Sequence, residues 1–346
     1  MNYFLRAILV LLVMTGSPSL MAVERTYSLA EKLVIIVNSK DPESQKIADY
    51  YQKKRNIPDE HIIVVEFSPK AATLNKVQFQ KIYQQVQDKT PKHVQFYALA
   101  WRNTFRVSCM SITSAFAFGF DEKYCAKGCM ATQSSPYFNV RSRAPFDDFK
   151  IRPTMMLAGS SIEQVLAMID RGVRSDGQYP DGTAYLMSTT DKHRNTRAGF
   201  YAQTIIALGE HIKIQQVNAN SLEDKDDVMF YFIGLVRVEN IDSNHFMDGA
   251  MADHLTSAGG ILSGTKQMSL LRWLDAGATA SYGTVTEPCS FPQKFPHPGI
   301  AIENYLQGNS LIEAYWKSVA WPGQGLFVGE PLASPFVKSL AEQEEI

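Results

Sequence analysis

The 346-residue chain carries a formal net charge of only −1, so no global field draws it to nucleic acid or to an anionic membrane. It has no internal repeat and no low-complexity tract. Beyond its first 22 residues no apolar run approaches the ~18 residues a membrane helix needs, so no integral membrane segment is expected after processing. No G-x-G-x-x-G follows the first predicted strand, and neither a dinucleotide nor any other cofactor is expected. His245, Asp248, His254 and Glu287 offer possible metal donors, but no H-x-x-x-H or paired-Cys spacing organises them, and no metal is expected. Cysteine is scarce, at four residues.

What is present is an ordinary globular composition, 45% hydrophobic and 20% charged, ample for a large core. Met1–Arg6 carries one positive charge, Ala7–Met14 is apolar, and Gly16, Pro18 and small residues lead to Ala22. That is the three-part plan of a signal peptide cleaved after Ala22, which predicts a soluble periplasmic or secreted protein. Residues 23–346 then form a single α/β domain with an insertion at about 102–153. In an oxidising compartment the even set Cys109, Cys125, Cys129 and Cys289 favours disulfides, with three pairings open.

Lys32–Asn38 (KLVIIVN) reads as a strand buried on both faces. Asp41-Pro42 then opens a helix to Arg55. Strand His61–Phe67, helix Asn75–Lys89 and strand His93–Trp101 complete a parallel α/β signature. The alternation stops over the Cys-containing insertion and resumes at Ser160, where Ser160-x-x-Glu163 suggests a capping box and Asp170-Arg171-Gly172 a glycine-closed helix end. Strand Thr183–Thr189, helix Arg194–Gly209 and the long strand Val228–Val238, interrupted at Gly234, follow. Helix Gly249–Ser257, short strand Gly260–Leu262, helix Met268–Ala276 and strand Ala278–Val285 come next. Helical segments from Ile300 to Ser318 and extended Gly323–Pro335 end the chain. The pattern predicts a three-layer αβα sandwich with a mainly parallel sheet of about six strands.

Ligands of such sheets sit beyond the carboxyl ends of the strands. Those ends supply Asn38 and Ser39, Arg102 and Asn103, Asp191 and Arg194, Ser263–Gln267, and Thr286–Cys289. Asn38, Arg102, Asp191 and Arg194 are the ligand-binding candidates. Arg194 and Arg197 could together hold a carboxylate or phosphate, while Asp191 equally fits a helix N-cap. His254, Glu287 and Cys289 are the catalytic candidates, with Cys289 paired to His254 or His297 as the sharpest version. If Gly249–Ser257 is a helix, only one of Asp253 and His254 can face the sheet, leaving a solvated Asp and a His bonded inside the fold.

The runs GAMADHLTSAGGIL, LRWLDAGATASYGTVTEPC and VGEPLASPF, with Asp191-Lys-His-Arg194, resemble an uncharacterised family of exported bacterial proteins. The layout is more remotely similar to the caspase-like fold of gingipain- and clostripain-type cysteine peptidases. Gly329-Glu330-Pro331-Leu332 takes the place of their late Gly-Asp-Pro-Leu-like turn, with Glu for Asp. Those peptidases carry His-Gly at one strand end and Ala-Cys at the next, where this chain offers Gly234-Leu235-Val236 and Ser263-Gly264-Thr265. The resemblance therefore implies a peptidase-like fold without its His/Cys dyad, with a binding or scaffold role. The alternative is a hydrolase, cysteine-peptidase-like or other, with a non-standard site around Ser263–Gln267 and Glu287–Cys289.

Overall fold

The run Leu33–Asn38 is buried at all six positions, as a strand covered on both faces must be. The computed structural model describes residues 27–263 and 265–337, so the expected signal peptide, residues 1–22, lies outside the described residues. The strands are β1 (Leu33–Asn38), β2 (Ile62–Val65), β3 (Thr73–Leu74), β4 (Phe96–Leu99), β5 (Arg106–Val107), β6 (Met110–Ser111), β7 (Thr154–Met156), β8 (Thr183–Met187), β9 (Lys213–Val217), β10 (Val228–Ile233), β11 (Phe246–His254), β12 (Ala280–Thr284) and β13 (Gly325–Gly329). The helices are α1 (Pro42–Arg55), α2 (Lys76–Lys89), α3 (Ile112–Phe118), α4 (Pro145–Phe149), α5 (Ile162–Ser175), α6 (Tyr201–Leu208), α7 (Leu271–Asp275), α8 (Pro298–Leu306) and α9 (Leu311–Lys317).

Ten strands form one sheet in the order β2-β1-β4-β7-β13-β12-β11-β10-β8-β9, and β3, β5 and β6 form a separate small sheet. The group β2-β1-β4-β7 is parallel throughout. So is the group β9-β8-β10-β11-β12. Each group starts inside, steps outward once, then returns past its first strand. The same winding thus occurs twice. β13 fills the seam, antiparallel to β12 and paired with β7 only at Val328–Met156. That single pair is of parallel type, but the ends of β13 set its direction against β7. The Gly325 carbonyl accepts from Ser111 at the start of α3, whereas Glu330 meets Arg55 at the end of α1. Both groups turn their carboxyl ends to one edge, because Thr286 after β12 donates to the carbonyl of Cys109, which follows β4.

Helices α1, α5 and α7 pack along one face. On the other, α2 meets α3 through Phe79 and Phe116, α3 meets α9 through Phe118 and Trp316, and α6 packs on α8. The three-layer α/β sandwich is therefore as expected, with ten strands rather than about six. β7 is too short to stand out from the insertion that precedes it, and β9 (KIQQV) is a polar edge strand with no apolar run. Capping follows the local chemistry. Asp41 accepts from the Glu43 amide, and Asn75 and Gln78 form a capping box. Ser161, not Ser160, caps α5 by accepting from Gln164.

Three element readings are corrected. Gly249–Ser257 is not a helix. Its residues to His254 belong to β11, where Ala, Gly and Met, individually compatible with helix, are buried between β10 and β12. Gly260–Leu262 is not a strand but part of a turn pressed on β12. A Cβ on Gly283 would come within 2.5 Å of the Gly259 carbonyl carbon and the Gly260 nitrogen. Gly172 does not end its helix, which continues to Ser175. It is glycine because the buried Glu330 side chain lies on it, 2.5 Å from where a Cβ would sit. Glu330 is held there by the Tyr51 hydroxyl at 2.6 Å and by the Arg55 guanidinium.

Candidate functional site

In a doubly wound sheet the ligand crevice opens where the strand order reverses. This sheet reverses twice, between β1 and β4 and between β8 and β10, and a depression lies near each reversal on the common carboxyl edge. The sequence candidates do share that edge. They do not share a site.

The first depression is a cleft of about 490 Å³ lined by Asp41, Glu43, Arg102, Asn103, Ser160 and Ser263 among others. Arg102 forms its polar clamp. Its Nε and Nη2 lie 2.8 and 2.6 Å from Glu43 Oε2, and Nη1 donates to the Ser160 carbonyl at 2.8 Å. The clamp ties the start of α1 to the turn before α5. Asn38 lies beneath, fully buried, where its Oδ1 accepts from the amides of Lys40 and Phe67. Its Nδ2 has no hydrogen-bond partner. Asn38 thus shapes the loops after β1 and β2 that flank the cleft.

The second depression is small, about 60 Å³, bounded by His193, Arg194, Thr256 and Ser257 on one side and by Glu287 to Ser290 on the other. At about 30 Å³ per water it holds roughly two. Asp191 Oδ1 accepts from the amides of His193 and Arg194, and Oδ2 from Arg194 Nη1 at 2.9 Å. Burial pushes the Asp191 carboxyl up, but the hydrogen bonds from Arg194 outweigh it and hold it below its ordinary value. Arg194 Nε donates to Thr256, whose hydroxyl donates to Gln267. Glu287 accepts the Cys289 amide at 2.7 Å. Gln267 therefore braces the turn after β11. Of the stretch Ser263–Gln267, Ser263 faces the first cleft, and Gly264 lies outside the described residues.

Among the catalytic candidates, His254 is fully buried with both ring nitrogens engaged. Nδ1 accepts from Trp273 Nε1 at 2.9 Å and Nε2 donates to the Met268 carbonyl at 3.1 Å. Burial pushes its pKa down to about 3, so the ring is neutral. His297 caps α8, accepting the Ile300 amide. Cys289 is bonded to Cys129 and Cys109 to Cys125, each pair with Cα atoms 5.5 Å apart. All four cysteines are paired.

The expected solvated Asp253 is corrected. In a central strand, neighbours point to opposite faces and both are covered. Asp253 is fully buried, with Oδ1 2.5 Å from Arg197 Nη1. Burial lifts its carboxyl to about 6, against the pull of Arg197. Arg197 also donates to the Ile233 carbonyl at the end of β10. It braces the fold and does not join Arg194 in a surface pair. The sequence reading missed Thr256 and Ser257, because it placed the strand end at Leu262. No group of three or more His, Cys, Asp or Glu side chains arranged to hold a metal ion occurs among the described residues, and none of their helices is long and apolar enough to cross a membrane.

The fold is remotely similar to those of two solved structures. One similar solved structure is a protease, 12% identical, with a TM-score of 0.42, spanning 89% of this chain and 79% of that one. Another is the complex of the pro- and mature domains of RgpB from Porphyromonas gingivalis, 9% identical, with a TM-score of 0.48, spanning 88% and 79%. At these values no residue role passes from either to this chain. No family model and no curated protein matches it.

Proposed function

We propose that this chain is an exported α/β domain that binds a ligand or partner and does not cleave peptide bonds, on a peptidase-like fold without the His/Cys dyad. One observation carries the reading: every cysteine is in a disulfide, so no thiolate is available to a cysteine-peptidase mechanism. Two others agree. The residues after β10 and β11 are Gly234-Leu235 and Leu255-Thr256, and both nitrogens of His254 are taken. Export is favoured by the N-terminal pattern and the two disulfides.

The cleft between β1 and β4 is the binding site we favour. Its size falls in the usual range for small-ligand sites. Its lining mixes carboxylates, a guanidinium, an amide and hydroxyls with Leu262 and Leu271, suiting a polar ligand with one apolar edge. The hydrolase alternative is disfavoured because Ser263 and Glu287 line different depressions. The test is a mixed peptide-substrate screen on the oxidised full chain, with and without reductant. No turnover is expected in either state. Turnover that disappears on alkylating Cys289 would sink the reading.

A further inference from the structure

One winding builds both carboxyl-edge depressions, yet the first is an open cleft of about 490 Å³ and the second encloses about 60 Å³. What closes the second is the segment after β12, where Glu287, Pro288, Cys289 and Ser290 stand against Arg194 and Thr256. Noncovalent ties hold the two ends of this wall: its root is hydrogen-bonded, and just past it Phe291 packs on the Trp321 ring. Gln324 Nε2 donates to the carbonyls of Thr286 and Glu287, and the Thr286 hydroxyl donates to the Cys109 carbonyl. At its tip, the Glu287–Cys289 hydrogen bond lies within the turn itself. Pro288 is buried there, and the covalent tie from the tip to the rest of the molecule is the Cys129–Cys289 bond. Cys129 is exposed, in a stretch without regular secondary structure, whereas Cys109, Cys125 and Cys289 are half-buried. Cys289 is also held at φ 53, in the left-handed region that a non-glycine residue adopts at a cost.

We propose that the Cys129–Cys289 disulfide is a redox latch, whose reduction by a dithiol releases the Glu287–Ser290 wall and opens the second depression. A thiolate of the dithiol attacks the exposed Cys129 sulfur, the Cys129–Cys289 bond breaks, and Cys289 leaves as a thiolate that takes a proton. The second thiol of the reductant then attacks the mixed disulfide and releases Cys129 as a thiol. The dithiol ends as its own disulfide, and its two electrons rest on the two cysteines. Cys289 gains freedom to leave its left-handed backbone, and between its hydrogen-bonded root and the Phe291–Trp321 contact the wall keeps only the packing of Pro288. The Cys109–Cys125 bond, closing a 16-residue separation within the insertion, is not part of the latch. The inference is independent of whether the first cleft binds a ligand.

The test treats the full chain with graded dithiothreitol, alkylates it, and maps the modified cysteines by mass spectrometry. Hydrogen exchange then follows the reduced protein and the double variant Cys129→Ser/Cys289→Ser. Cys129 and Cys289 should be modified before Cys109 and Cys125. Amides of 286–291 and 255–257 should exchange at least about tenfold faster in both samples, with β10 and β12 unchanged. The latch is overturned if Cys109–Cys125 opens first, or if exchange at those amides does not change. It is equally overturned if both samples unfold globally, because the bond would then hold the fold together and not close a site.

Discussion

Replacing His254 by Gln tests whether this buried imidazole is a structural group that must stay neutral. Its pKa of about 3 lies below the ordinary 6.5, so the unfolded chain takes up the proton first. The stability tied to the neutral ring is complete above pH 6.5 and drains as pH falls toward 3. The loss reaches about 2 kcal/mol by pH 5. Gln cannot charge and so lacks this loss. Against that, it holds the Trp273 indole N–H and the Met268 carbonyl less well, at a cost of about 1–3 kcal/mol at pH 7. Urea unfolding should therefore show the variant less stable at pH 7, with the gap narrowing by about 2 kcal/mol at pH 5. Asp253 titrates in the opposite sense, but it is present in both proteins. In NMR spectra the His254 ring resonances should stay flat from pH 8 to pH 5. A gap that keeps its pH 7 size, or a ring titrating near its ordinary value, would refute the reasoning.

Other perturbations address different parts of the fold. Gly172→Ala should lower stability by about 1–3 kcal/mol in urea unfolding, although Ala gains about 1 kcal/mol in helix propensity, because its Cβ would overlap the clamped Glu330. A stabilised variant would contradict that packing. Arg197→Met leaves the Asp253 carboxylate buried without its cation and should cost about 3–5 kcal/mol at pH 7. Because burial holds the folded pKa of Asp253 above its unfolded value, the carboxyl is neutral in acid, and part of that loss should return below pH 6. A cost that does not change between pH 7 and pH 5 would count against the pair. Unreduced protein denatured in guanidinium should show no reactive thiol in a colorimetric count, since all four cysteines are bonded. Any free thiol would contradict the pairing.

The α/β class was legible because strands such as Leu33–Asn38 and Val228–Ile233 are continuous apolar runs, which only doubly covered strands require. The carboxyl-edge residues Arg102, Asp191 and Arg194 were legible for the same reason, since they follow such runs. β11 was not. Its Gly-Ala-Met-Ala-Asp-His carries helix formers and two ionisable groups, and only pairing with β10 and β12 makes it a strand. Misplacing that strand end at Leu262 hid Thr256 and Ser257. It also made Asp253 look solvated, when its partner Arg197 lies far away in sequence. The disulfide pairing was equally out of reach, because nothing local brings Cys129 to Cys289 across 160 positions.

The seam strand has a consequence for how the chain matures. β7 lies at the inner edge of the first strand group, and the neighbour that covers it, β13, is the last described strand to emerge. Arg55 meets Glu330 only when that strand arrives. During synthesis, the first four sheet strands must wait with a bare β-edge, and Arg55 with only Asp176 as its partner, until β13 has followed. Such late, long-range closure slows folding and exposes a sticky edge meanwhile. The two strand groups therefore become one sheet only when β13 arrives.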